Sequence, residues 1–116
     1  KPVETLRFSI LALSLILILV IIPKPPIGIY AVQGLVSIAA GLTFPNITAL
    51  VSRLSTSSQQ GEMLGIQQSM QSLGHAVPPV IAGFLMSMNA NLPTITAAVI
   101  TFLAWVVFML LFKVEK

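Results

Sequence analysis

Residues 63–112 read MLGIQQSMQSLGHAVPPVIAGFLMSMNANLPTITAAVITFLAWVVFMLLF, and none of these fifty positions is Asp, Glu, Lys or Arg. A helix needs about 20 predominantly apolar residues to cross the hydrocarbon core of a bilayer. The stretch is long enough for two crossings, and Met88-Asn89-Ala90-Asn91-Leu92-Pro93 supplies the turn between them. Working outward, residues 8–23 and 25–52 are also free of charge. The sequence therefore predicts an all-α, polytopic membrane protein with four transmembrane helices, at about 5–22, 27–52, 62–87 and 92–112.

Composition supports this reading. Of 116 residues, 56% are hydrophobic and 8% charged, against roughly a quarter charged in a soluble domain. Such a chain cannot cover itself with water-compatible side chains. A soluble enzyme, a disordered segment and a nucleic-acid binder are all disfavoured. The chain has no cysteine, which excludes disulfide scaffolds and Cys-based metal sites. No metal site and no cofactor is expected. The chain starts at Lys1, and its first apolar run ends in Pro23-Lys24-Pro25-Pro26 rather than in a small-residue cleavage site. A piece of a longer polypeptide is the expectation.

The first helix is short of membrane length unless Thr5 to Arg7 join it, with Arg7 expected to snorkel to the headgroups. Four spans put both ends and the 53–61 loop on one side of the membrane. That side holds Lys1, Arg7, Arg53, Lys113 and Lys116, while the other holds only Lys24. By the positive-inside rule both ends are expected in the cytoplasm. Tyr30 then lies near the outer interface, and Trp105 lies deeper in its span as a packing residue.

The polar residues are unevenly shared. The second span holds Gln33, Ser37, Thr43, Asn46 and Thr48, and the third holds Gln67, Gln68, Ser69, Gln71, Ser72 and His75. Buried amides in lipid are costly unless paired, so these two spans are expected to face protein or water. Gln67, Gln71 and His75 drift only about 80° around a helix and form one stripe, and Gln33 and Ser37 form a shorter one. Two readings stand side by side: lining of a cavity, or interhelical bonding worth roughly 1 kcal/mol or less per pair. Asn46 lies on another face, near the cytoplasmic end, where a cap or loop contact is expected.

His75 is the one titratable side chain expected at mid-membrane. It is a candidate for proton exchange, for solute contact or for a structural hydrogen bond. The acids Glu4, Glu62 and Glu115 all lie at the expected cytoplasmic edge, so no span carries a carboxylate. Gly34, Gly41, Gly65, Gly74 and Gly83 allow close backbone approach. Pro78 and Pro79 remove two amide donors and are expected to bend the third helix, as a fixed kink or a hinge. In the polar loop from Ser52 to Gly61, Thr56, Ser57 or Ser58 is expected to cap that helix, with Glu62 favourably placed in its first turn.

These residues resemble a known family. Gly65-x8-Gly74-x3-Pro78-Pro79-x2-Ala82-Gly83 is similar to the antiporter motif of the major facilitator superfamily, G-x8-G-x3-G-P-x2-G-G, with Pro78 and Ala82 in place of two glycines. Gln33-Gly34, Gly41, the run Phe44 to Ser52 and then Gly61 resemble the helix before that motif. The drug/proton antiporter branch, in the style of bacterial tetracycline-efflux proteins, is the nearest likeness. The resemblance implies part of a twelve-helix fold of two six-helix halves, each built from inverted three-helix repeats. The family's fourth helix carries an Arg in an R-x-x-Q-G setting, where this chain has Tyr30-Ala31-Val32-Gln33-Gly34. That departure, the altered glycines and the basic tail from Lys113 to Lys116 point to helices nine to twelve, the C-terminal part of the transporter.

The resemblance implies transport rather than catalysis: outward movement of a small organic compound, coupled to protons, by alternating access. Candidate cavity residues are Gln33, Ser37, Gln67, Gln71 and His75. Candidate packing or hinge residues are Gly34, Gly41, Gly65, Gly74, Pro78, Pro79 and Gly83, and candidate loop residues are Arg53, Gly61 and Glu62. The implied partners are the remaining helices of the transporter, membrane lipid, a small solute and protons, with no nucleic acid. The implied location is a cell membrane of bacterial inner-membrane type. Two alternatives remain open: a facilitator-type carrier for a sugar or metabolite, and a self-contained four-helix membrane protein that acts as a dimer. The small multidrug transporters of that second kind depend on a Glu within their first helix, where this chain has only Glu4 at the edge.

Overall fold

The computed structural model describes residues 2–22 and 25–112. Lys1, Lys24 and residues 113–116, on which the orientation count and the basic tail depend, lie outside them. The chain forms four helices: α1 Pro2–Ile21, α2 Pro26–Leu54, α3 Gln60–Met88 and α4 Leu92–Leu111. The charge gaps foreshadow all four. Pro26 begins α2 and Pro93 lies in the first turn of α4, where a missing N–H costs nothing. In the turn between α3 and α4, the Asn91 N–H donates to Asn89 Oδ1 at 2.9 Å and the Leu92 N–H to the Asn89 carbonyl at 3.1 Å. The side chain of Asn89 thus closes the link that reverses the chain.

Helices α1, α2 and α4 are each long and apolar enough to cross a membrane. α3 equals α2 in length at 29 residues, but its Gln and Ser residues leave it less apolar than the other three.

α1 packs against both α2 and α4, and α3 touches the same two helices more sparsely. The closest packing therefore surrounds α1, where small side chains join the fully buried Leu6 of α1 and the buried Val32 of α2. Ser9 and Ser14 of α1, Ala39 and Thr43 of α2 and Ala98 of α4 are all buried. With lipid as solvent, tight backbone approach through small residues is what holds helices together. Ser14 is fully buried and its Oγ donates to the Ala98 carbonyl at 3.3 Å, joining α1 to α4.

At the other end of the α1–α4 contact, Trp105 Nε1 donates to the Arg7 carbonyl at 3.1 Å, and Arg7 Nη2 donates to the carbonyl of Phe112. Arg7 lies within α1, as the length of the first span requires. Its half-buried guanidinium satisfies a carbonyl at the C-terminus of α4, where the helix dipole favours a cation. Trp105 packs as expected, stacked on Phe102 with centroids 5.7 Å apart.

Two local expectations are corrected. Asn46 makes no cap; its Nδ2 donates back to the Leu42 carbonyl of its own helix at 2.6 Å. The N-cap of α3 is Gln59, without a side-chain cap bond. Thr56 Oγ1 bonds instead to Gln59 Oε1 at 3.0 Å and to Ser58 Oγ at 3.2 Å. The loop hydroxyls satisfy one another, and α3 starts two residues earlier than expected.

Candidate solute-facing site on α2 and α3

α2 presents two faces about 130° apart. Its buried residues Val32, Ala39 and Thr43 recur at seven and four positions, which keeps them on one side of a 3.6-residue helix. Ala39 shares a groove of about 420 Å³ with Thr5, Phe8, Ser9, Ala12 and Ile16 of α1, so this is the α1 side. Gln33, Ser37, Phe44 and Thr48 fall within about 60° of one another on the next face round. Two contacts show where that second face looks. Gln67 Nε2 of α3 donates to Thr48 Oγ1 at 2.9 Å, and the Phe44 ring lies 6.4 Å from the His75 ring, centroid to centroid.

Gln67 and His75 are two members of the expected α3 stripe, and Gln71 lies between them. The structure therefore brings the α3 stripe against the Phe44–Thr48 part of α2. Nearer the connecting loop, Gln60 Nε2 donates to Ser52 Oγ. The contacts at 52 with 60, 48 with 67 and 44 with 75 run from that loop to the middle of α3. Gln33 and Ser37 share the face but sit farther along α2, away from that loop. Ser37 Oγ donates to the Gln33 carbonyl at 2.9 Å, and Gln33 borders a small recess with Val20, Ile29 and Val32. The structure does not join these two side chains to the Gln67–His75 stripe.

The Gln67 amide has a defined orientation. Thr48 Oγ1 donates its single proton to the Phe44 carbonyl at 3.3 Å, so toward Gln67 it can only accept. Nε2 of Gln67 must then point at Thr48, which leaves Oε1 as a free acceptor. Gln67 and Gln71 are half-buried, and His75 is exposed. Thr48 and Phe44 were not among the candidate site residues. Position on the Gln33 face is the signal that marks them.

Pro78 and Pro79 lie inside α3, which is helical through both. Each lacks the N–H that would bond four residues back, so the carbonyls of Gly74 and His75 lose their helical donors. Those four residues, with Ile81, Ala82 and Leu85, form one wall of a cleft of about 390 Å³; Pro93, Thr96, Ala97 and Ile100 of α4 form the other. The imidazole of His75 therefore borders both the α2 contact and this cleft. At Gly34, Gly41, Gly61, Gly65, Gly74 and Gly83, a Cβ would meet nothing within 4 Å. These glycines leave open surfaces on their helices, and the close approaches are made by Ser14, Ala39 and Ala98 instead. Arg53 lies in the last turn of α2 and Glu62 in the first turn of α3, each with the sign its helix terminus favours.

The side chains of this site are neutral donors and acceptors with two aromatic rings. Among the described residues, no group of three His, Cys, Asp or Glu could hold a metal ion. Such a surface can bind and orient a solute, but it holds no nucleophile with a paired base.

The family model for the Major Facilitator Superfamily matches residues 3–116. The chain belongs to the Major Facilitator Superfamily. Members of this superfamily move small solutes across membranes, and α1 to α4 are part of such a multi-pass fold. No curated protein and no solved structure matches the chain significantly.

Proposed function

We propose that this facilitator chain is the C-terminal third of a proton-coupled efflux transporter for small organic compounds, corresponding to helices nine to twelve. The observation that carries the reading is the Gln67–Thr48 bond beside Gln71, His75 and Phe44. It sets a line of neutral hydrogen-bonding groups on the open side of two helices. In this account Gln33, Ser37, Gln67, Gln71 and His75 line a solute cavity shared with the preceding helices. The plain, strongly apolar α1 and α4 support them from the lipid side. Gly34, Gly41, Gly65, Gly74 and Gly83 are the surfaces on which those other helices seat, and Pro78 and Pro79 shape α3 there. Both ends of the chain lie in the cytoplasm of a bacterial-type inner membrane, with Arg53, Gly61 and Glu62 in the cytoplasmic loop.

Proton coupling requires an ionisable group at depth. The carboxylates of these helices stand only in first turns, Glu4 in α1 and Glu62 in α3, so the coupling acid at depth belongs to the preceding helices, and His75 serves in solute contact. The neutral lining favours an uncharged, partly apolar compound over a sugar acid or phosphate ester. The test is transport by the native full-length polypeptide in proteoliposomes. A panel of lipophilic aromatic compounds, sugars and amino acids would be offered under an imposed pH gradient. Gradient-dependent movement of the lipophilic compounds alone is expected. Gradient-independent movement of a sugar would replace this reading with the carrier alternative.

A further inference from the structure

We propose that Pro45 positions His75: lacking an N–H, it frees the Gly41 carbonyl, and the Nε2–H of His75 is the donor that answers it. The bond itself is independent of the transport reading, and only its consequence for the solute rests on that reading. Gly41-x3-Pro45 on α2 and Gly74-x3-Pro78 on α3 are the same pattern in two neighbouring helices. Proline inside a helix leaves the carbonyl four residues back without its donor, so Pro45 frees Gly41 as Pro78 frees Gly74. At membrane depth such a carbonyl takes a replacement donor from a side chain, a neighbouring helix or an ordered water.

Register singles out His75. Gly41 lies about 20° round α2 from Thr48 and one turn from Phe44, on the side that meets α3. An aromatic side chain in a helix leans back over the turn before it, so the Phe44 ring covers the turn that contains Gly41. The imidazole of His75 lies directly against that ring, with centroids 6.4 Å apart and planes 36° from parallel. Glycine has no Cβ to screen its carbonyl. The polar neighbours are engaged elsewhere: Gln67 on Thr48, Thr48 on the Phe44 carbonyl and Asn46 on the Leu42 carbonyl. Gln71 lies one turn nearer the connecting loop, whereas Gly41 lies beyond Phe44 in the opposite direction. As the ring stands, His75 makes no hydrogen bond among the described residues, and the proposed bond forms by rotation of its side chain.

A neutral imidazole has one N–H and one acceptor nitrogen. With Nε2–H committed to Gly41 the tautomer is fixed, and Nδ1 is left as an acceptor on the same stripe as the free Oε1 of Gln67. Where that stripe lines the solute path, the two acceptors select a compound that carries hydrogen-bond donors.

The test reads the bond without transport. The purified full-length polypeptide is isotopically labelled at the histidine ring nitrogens for NMR, and the His75 signals are assigned by their loss in His75→Asn. At about pH 8.5, two units above the ordinary histidine pKa, a single Nε2–H tautomer is expected, with two well-separated nitrogen signals. Pro45→Ala gives the Gly41 carbonyl back its helical donor and is expected to return His75 to a mixture of tautomers. Gln71→Leu is expected to leave the single tautomer in place. The wild-type spectrum decides even where a variant fails to fold. A mixture of tautomers in the wild type, or a single tautomer that survives Pro45→Ala, overturns the proposal. Either result leaves the transport reading to its own solute panel.

Discussion

Gln67 on α3 donates a 2.9 Å hydrogen bond to the hydroxyl of Thr48 on α2. This side-chain bond fixes which faces of the two polar helices meet. Interhelical bonds in membranes contribute about 0.6 kcal/mol on average. Thr48→Val and Gln67→Leu are each expected to lower stability by roughly that amount. The double variant should lose little more than either single one. A double-mutant cycle on reversible unfolding in micelles measures this, and full additivity would mean that the bond contributes nothing.

The Arg7 corner predicts a larger effect. Hydrogen bonds to charged groups contribute about 1.5–3 kcal/mol, so Arg7→Met should cost up to that range. Trp105→Phe keeps the ring stacked on Phe102 and loses only the neutral bond to the Arg7 carbonyl. Its cost should be about 1 kcal/mol or less. Equal losses in the two variants, in the same unfolding assay, would refute this ordering.

Ser14 is a steric prediction. It is fully buried where α1 meets α4, so Ser14→Leu must force the helices apart at about 1–3 kcal/mol or more. Ser14→Ala keeps the volume and loses one weak bond, with a cost below about 1 kcal/mol. Melting temperatures of the two variants separate these outcomes.

The proline pair makes a geometric prediction. Replacing Pro78 and Pro79 with Ala restores donors to the Gly74 and His75 carbonyls and straightens α3. A kink of about 20° acting over the roughly 14 Å from Pro79 to Met88 displaces the helix end by about 5 Å. The chain has no native cysteine, so spin labels can be placed at single positions on α3 and α4. At Leu85, about 9 Å from Pro79, the same kink gives about 3 Å; a shift of that size between labels at Leu85 and Leu103 is expected, and an unchanged distance would show that the prolines bend nothing.

Much of this architecture is legible in the sequence for simple physical reasons. Charges are excluded from hydrocarbon, so the gaps between Arg7, Lys24, Arg53, Glu62 and Lys113 bracket the helices. Periodicity puts Gln67, Gln71 and His75 on one side of α3. It cannot say which neighbour covers that side, so Thr48 and Phe44 emerge only from the packing. The same limit explains Asn46. A position near a helix end suggests a cap, whereas the available acceptor is the Leu42 carbonyl one turn back. The glycines stand out in the sequence, yet serine and alanine make the close contacts among these four helices.

The central claim is that the Gln67–Gln71–His75 stripe borders a water-filled solute path. Its most direct test is cysteine substitution at Gln71 and His75, with Leu19 and Leu110 as controls, in a cysteine-less variant of the full-length polypeptide in membranes. The account predicts that a water-soluble maleimide labels positions 71 and 75 but not 19 and 110, and that a transported solute slows the labelling. Unreactive cysteines at both 71 and 75 would contradict it and leave the stripe as packing between helices.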